Sequence, residues 1–181
     1  MNLINTLKAL LQVTPKLDAR YYLNGIQIIR NGGEVVFNST DGHMLLQVKT
    51  TDLEYLDIQD GVQFIICRKS LDVMIKSFTK NNTPVLRCDD DFNVTLGDLP
   101  LVTIDGNYPD VQRVISESSE RCDVIGVNYT LLAKLSKACA TVTNTNFTGG
   151  KLKVRGATDS ILFENSYDDY SFIALLMPAR I

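Results

Sequence analysis

The sequence predicts an α+β fold built from a repeated unit, in which one helix is combined with a group of short antiparallel strands. Three observations predict it. Segments with helical spacing alternate with strand-like runs along the whole chain. The strand-like runs are short and bounded by Gly, Asn, Asp and Pro. The order strand, helix, strands recurs with a period of roughly 60 residues, and a repeat of that length outranks any single motif.

Leu3 to Val13, LINTLKALLQV, sets Leu3, Ile4, Leu7, Leu10 and Leu11 at helical spacing. Pro15 ends this helix, because a proline pushes its predecessor out of the α region. YYLNGIQIIR and EVVFNST follow as strands, and Asn31-Gly32-Gly33 between them predicts a hairpin. GHMLLQVKT continues as a third strand, and the acidic stretch 52–60 is expected to be a surface connection. The second unit opens with the strand VQFIIC. Ser70 is a candidate N-cap for LDVMIKSFTK, where Leu71, Met74, Ile75 and Phe78 share a face. Asn81, Asn82 and Pro84 stop that helix, and PVLRCD, FNVTLGD and LPLVTID are three short strands. The third unit repeats the plan. CDVIGV is a strand, and NYTLLAKLSKACA is a helix with Leu131, Leu132, Leu135 and Ala138 on one side. KLKVRGA, SILFENS and YSFIALLM are strands. The expected division is a two-unit domain over 1–116 and a third unit over 117–181.

Composition excludes several classes. The chain has 181 residues, 45% apolar, with seven Phe, seven Tyr and no Trp. That supports a real core and argues against disorder. No apolar run is long enough to span a bilayer. MNLINTLKALL lacks a basic n-region and a small-residue cleavage site, so it is expected to be the first helix and not a signal peptide. Cys67, Cys88, Cys122 and Cys139 form no C-x-x-C pair. With one histidine in the chain, zinc is not expected. Reduced thiols in a cytoplasmic protein are the simplest reading.

Charge is unevenly spread. The net charge is −3. Yet the helices and their entries carry Lys8, Arg68, Lys69, Lys76, Lys80, Lys134 and Lys137 against Asp72 alone. Ordinary solvated faces would account for this. The alternative is that the helices share one basic surface for a polyanion while the acidic strands face elsewhere. No aromatic residues interleave the lysines, so stacking on single strands is not indicated. A sequence-blind grip on duplex phosphates fits better.

The stretch STDGHMLLQV, Ser39 to Val48, holds the only histidine, His43, near Asp41. No nucleophile or third member is placed beside them, and TDG is above all a turn signal. No catalytic residue is assigned. NGG and TGG lack the pattern of a phosphate loop. DGNYPD is expected to be a loop closing a domain, and MPARI to lie in a groove.

Four of these stretches occur in an order that points further. RYYLNGI, TDGH, DGNYPDVQRV and MPARI resemble the signatures of the bacterial sliding clamp family, the β subunit of DNA polymerase III. The usual family forms are close to RYYLNG, ATDGHRL, DGRFPDYRRV and MPMRL. Residues 1–116 resemble the middle domain without its first strand. Residues 122–181 resemble the second half of the last domain. The resemblance implies a DNA-clamp fold of repeated β-α-β-β-β units, with helices on one face and antiparallel sheets on the other. It implies DNA replication as the setting and duplex DNA as a sequence-independent partner, held by Lys8, Arg68, Lys69, Lys76, Lys80, Lys134 and Lys137.

The resemblance also implies an apolar pocket for short peptides of a DNA polymerase, clamp loader or repair protein. Carried over by position, that pocket comprises Leu23, Thr40, Gly42, His43, Leu45, Pro109, Arg113 and Val114. The third unit adds Asn128, Leu131, Ser160, Leu175, Leu176, Met177, Pro178 and Arg180. Met44 stands where the family has arginine and Ala179 where it has methionine, so peptide preference is expected to differ. No cofactor, metal or membrane is implied. The shortening points to a phage or mobile element.

Two functions compete. The first is a processivity factor that encircles DNA as a homo-oligomer. If the family's ring of twelve units is kept, three units per chain imply a tetramer. The second is a truncated clamp-like protein that binds clamp-binding peptides, or a host clamp, without encircling DNA. An enzyme is a distant third.

Overall fold

A computed structural model describes residues 1–78, 83–115, 124–145, 149–154, 156 and 159–179. Eleven strands and four α-helices are found among them. Helix α1 (Leu3–Val13) opens the chain. Asn2 caps it, its side-chain oxygen accepting from Asn5 N at 2.9 Å. The sequence marks one apolar face, but the helix also buries Asn5, Thr6, Ala9 and Val13. It is sandwiched between a sheet and a second helix, so only Lys8 is exposed along its length.

Strands β1 (Gly25–Asn31), β2 (Glu34–Thr40) and β3 (Met44–Thr50) form an antiparallel meander. Asn31 pairs with Glu34 across Gly32-Gly33, the two-residue turn that NGG predicts. Tyr21–Leu23, expected as part of the first strand, is a 3₁₀ turn instead. Strand β4 (Leu56–Ile58) lies where only a surface connection was expected. Its pairing is long-range and parallel, with Leu86–Cys88, and so leaves no local pattern.

Strand β5 (Gln63–Cys67) leads directly into α2 (Arg68–Met74), which tightens to a 3₁₀ turn through Ser77. The helix begins earlier than expected, with Cys67 as its N-cap. Ser70 is inside it, and its hydroxyl accepts from Val102 N at 3.0 Å. Strands β6 (Leu86–Cys88), β7 (Val94–Leu96) and β8 (Leu99–Leu101) follow. The short α3 (Gln112–Ile115) was not anticipated. Residues 124–127 of the expected strand CDVIGV are not in a strand, while Cys122 and Asp123 lie outside the described residues. Helix α4 (Tyr129–Thr143) is capped by Asn128, whose side chain accepts from Thr130 N and Leu131 N. Strands β9 (Lys151–Lys153), β10 (Ile161–Ser166) and β11 (Tyr170–Leu176) complete the described fold.

The strands form two sheets. One has seven strands in the order β5-β1-β2-β3-β11-β10-β9, and the other has four, β4-β6-β7-β8. The junction of first and third units is the antiparallel pair β3–β11, running from Met44↔Leu176 to Thr50↔Tyr170. Above it α1 and α4 pack side by side. A single core runs through all three units, from Leu7 and Phe37 to Leu86, Leu135 and Phe172. A small satellite core of Leu45, Val111, Leu162 and Leu175 lies on the other face of the long sheet. That alternation follows from the strand period of two.

Candidate functional site

The TDGH turn joins β2 to β3 and is built by its own side chains. Asp41 Oδ1 accepts from His43 N at 2.9 Å and Met44 N at 2.8 Å. Thr40 Oγ1 accepts from Gly42 N and donates to Met44 O. Gly42 has φ +86°, the left-handed region that favours glycine, and the Arg20 guanidinium lies over it. Arg20 reaches over this glycine to donate to Asp41 O at 3.1 Å. It also pairs with Asp18, and the hydrogen bonds from Arg20 hold that carboxyl down to about 2. Tyr108 fixes the turn from the other side, its hydroxyl accepting from Thr40 N at 3.0 Å. Burial pushes this phenol well above its ordinary range.

The turn closes one wall of an apolar cleft of about 190 Å³. Leu23, Thr40, Gly42, His43, Leu45, Pro109, Val114, Leu175 and Met177 all line it. Met177 forms the junction, its N–H donating to His43 O at 2.9 Å. Arg20, Met44, Asp110 and Val111 also line the cleft and were not anticipated. All four lie within or beside the quoted motifs, which is the signal that could have found them. The volume is below the range of about 300–1,000 Å³ usual for small-molecule sites. It has room for one or two side chains of an extended segment.

The remaining residues carried over lie elsewhere. Arg113 points to Asp110, with Nε at 3.1 Å from its carboxylate. Asn128 is occupied in capping α4. Leu131, Ser160 and Pro178 do not line the cleft, and Arg180 is outside the described residues. Leu176 is fully buried in the main core, facing away from the cleft. Met44, where the family has arginine, is 2% exposed, so it meets the cleft with little surface.

A second concavity, of about 480 Å³, lies on the helix side. It is lined by Lys8, Lys16, Arg68, Lys76, Lys134 and Lys137, against the single carboxylate of Asp72. Helices α1, α2 and α4 all contribute. Asp72 pairs with Lys76 at 3.3 Å. Arg68 has a structural role as well, donating to the carbonyls of Leu11 and Thr14 at the end of α1. Desolvation lowers its pKa from the ordinary value. Lys16 was not anticipated, because it follows the helix. Lys69 is exposed outside this groove, and Lys80 is beyond the described residues.

Among the described residues there is no cluster of metal-ligating side chains, and no helix is long and apolar enough to cross a membrane. Cys67, Cys88 and Cys139 are free thiols. Burial pushes Cys139 up to about 12, which makes it inert as a nucleophile.

Comparison with known proteins fixes the family. The model of the DNA polymerase III beta subunit, central domain, matches residues 3–110. The chain belongs to the DNA polymerase III β-subunit family, the sliding clamps. The family inferred from four short motifs is the one the comparison returns. The beta sliding clamp of Pseudomonas aeruginosa is 28% identical over 141 residues, covering 76% of this chain and 37% of that protein. That of Buchnera aphidicola subsp. Rhopalosiphum padi is 27% identical over 176 residues, covering 91% and 46%. The chain therefore spans less than half the length of these relatives. Among solved structures, the Helicobacter pylori beta clamp in complex with 3,4-difluorobenzamide superposes with a TM-score of 0.74 at 13% identity. It covers 99% of this chain and 64% of that one. The P. aeruginosa clamp bound to griselimycin gives 0.67 at 19% identity. The α+β clamp fold is thus shared across nearly the whole chain.

Proposed function

We propose that this sliding-clamp-family chain is a DNA polymerase processivity factor that encircles duplex DNA as a homo-oligomer. Its supporting observation is the groove in which three helices of a net-acidic chain, with the turns that follow two of them, gather six cations. Lysines on long stems neutralise phosphates without reading bases, so binding is blind to sequence and the protein is free to slide. The apolar cleft at the TDGH turn takes short peptides of a polymerase, clamp loader or repair protein, with apolar side chains as anchors. The protein works in the cytoplasm, and no catalytic step or cofactor is assigned.

The test is topological. Chains concentrated with nicked circular DNA are expected to stay on the circle and to leave when it is cut. Equal retention before and after cutting overturns encirclement. Replacing Lys8, Lys76 and Lys137 by Glu is expected to abolish retention while peptide binding persists. Lys134 is left intact because it stands beside Asp41 of the TDGH turn.

One observation favours a second reading. Residues of one chain suffice to form the cleft, so peptide capture needs no ring. A truncated clamp-like protein that binds such peptides without encircling DNA is the result if peptide binds and circles are never retained.

A further inference from the structure

We infer that the outer side of α4 together with β9 is a self-association surface, and that its occupant is the same surface of a second copy of this chain. The first observation is a cleft of about 260 Å³, open among the described residues, between α4 and the helix-facing side of β10 and β11. Leu132, Leu135, Cys139, Phe163 and Phe172 give it an apolar lining. On its opposite side α4 is already covered by α1, with Gln12 Nε2 donating to Thr141 Oγ1 at 2.9 Å.

The second observation is the sheet edge. Strand β9 ends the seven-stranded sheet, and among the described residues it pairs only with β10. Leu152 lies opposite Phe163, on the helix-facing side, and is 56% exposed. An open edge with an apolar inner face is a template for another chain.

The third observation is how units one and two are joined. Strand β5 precedes α2, yet it pairs with β1, which follows α1. The segment before one helix completes the sheet after another. The third unit has both parts of such an exchange. Residues 125–127, Ile-Gly-Val, precede α4 and belong to neither sheet; they run beside the chain's end, where Ala179 N donates to Gly126 O at 2.9 Å. Strand β9 follows α4. A twofold axis beside α4 sets the 125–127 segment of each copy on β9 of the other. It also lays the two α4 helices together over their clefts. Each copy gives what it takes, which is the defining property of an isologous contact. The exchanged segment carries no charge, so Lys151 and Lys153 of β9 meet no like charge from it.

This surface supplies one of the contacts that the ring of the proposed function requires, and in that sense the inference rests on that reading. It is tested without DNA. Light scattering of the full chain across micromolar concentrations is expected to show an even-numbered oligomer. Ser136 lines the cleft and Leu152 lies on the edge strand, and both are exposed, so substitution there spares the core. Ser136→Arg and Leu152→Glu are each expected to weaken association by about tenfold or more. Circular dichroism and peptide binding should stay unchanged. Ser136→Cys is expected to join two chains by a disulfide under mild oxidation. A strict monomer, a closed trimer, or association indifferent to both charged variants overturns the surface. An even oligomer that never retains DNA sinks the ring reading and leaves the surface standing. An oligomer that is retained on circles yet is indifferent to both charged variants does the reverse.

Discussion

Leu175 and Leu176 are neighbours in β11 and serve different faces. Leu175 joins Leu45 and Val111 beside the cleft at the TDGH turn, while Leu176 is sealed in the main core. Met177 then turns back toward the cleft and is 40% exposed. Met177→Ala is expected to weaken an apolar clamp-binding peptide by about 1–2 kcal/mol, as loss of a pocket-lining side chain does. Leu176→Ala is expected to cost about 2–5 kcal/mol of stability through the cavity it leaves, with peptide affinity per folded molecule unchanged. Calorimetry of peptide binding and denaturant titration separate the two. Unchanged peptide affinity in Met177→Ala removes the cleft from the proposed function.

At the scale of elements, helix ends are held by other elements. The end of α1 is the clearest case. Its last carbonyls accept from Arg68, from the Thr14 hydroxyl and, at Leu10 O, from Ser39 Oγ at 3.0 Å. Arg68→Ala leaves two of these acceptors short of a charged donor. The expected cost is about 1.5–3 kcal/mol, the worth of hydrogen bonds to a charged group. Faster amide exchange in the last turn of α1 should accompany it, and an unchanged unfolding midpoint would refute this role.

The same contacts explain what the sequence could and could not disclose. Helix α1, the β1–β2 hairpin, β10 and β11 were legible because their apolar period is local. The start of α2 was not, because Ser70 looks like a cap but spends its hydroxyl on Val102 N. Strand β4 was missed because its partner Leu86 is distant in the chain. Nine cleft residues were legible through motif resemblance, since the TDGH turn is self-built. Leu176 was misplaced because adjacent strand residues face opposite ways.

Over the whole molecule, the first and third units are tied at the chain's first residue. The Met1 ammonium pairs with Asp52 of the first unit, at 2.7 Å, and with Asp169 of the third. Burial pulls its pKa down, but the two carboxylates more than offset this and raise it above 8.0. A raised pKa stabilises the fold fully below pH 8 and ceases to do so as pH climbs through the folded value. Asp52 is lowered by the same ammonium, so its share is present above about pH 3.8 and is lost on acidification through its folded value. Thermal unfolding followed from pH 7 to 10 is expected to show a falling midpoint on the alkaline side. Acetylation of the amine should remove that slope, and a slope that survives acetylation assigns it to another group.

Lys134 stands on α4 where the groove ends, and its Nζ lies 3.9 Å from Asp41 Oδ2. Asp41 is the carboxylate that shapes the TDGH turn. One cation is thus shared between two faces that would engage different ligands. A phosphate that draws Lys134 away alters the field on the turn. A ligand that shifts the turn alters the cation offered to phosphate. Thermodynamic reciprocity makes these two effects equal in free energy. At 3.9 Å, with the Lys134 side chain 41% exposed, the ion pair carries little energy, so the coupling is small. Its consequence is that occupancy of the helix side registers as a change in affinity on the opposite rim, with no moving part larger than one side chain.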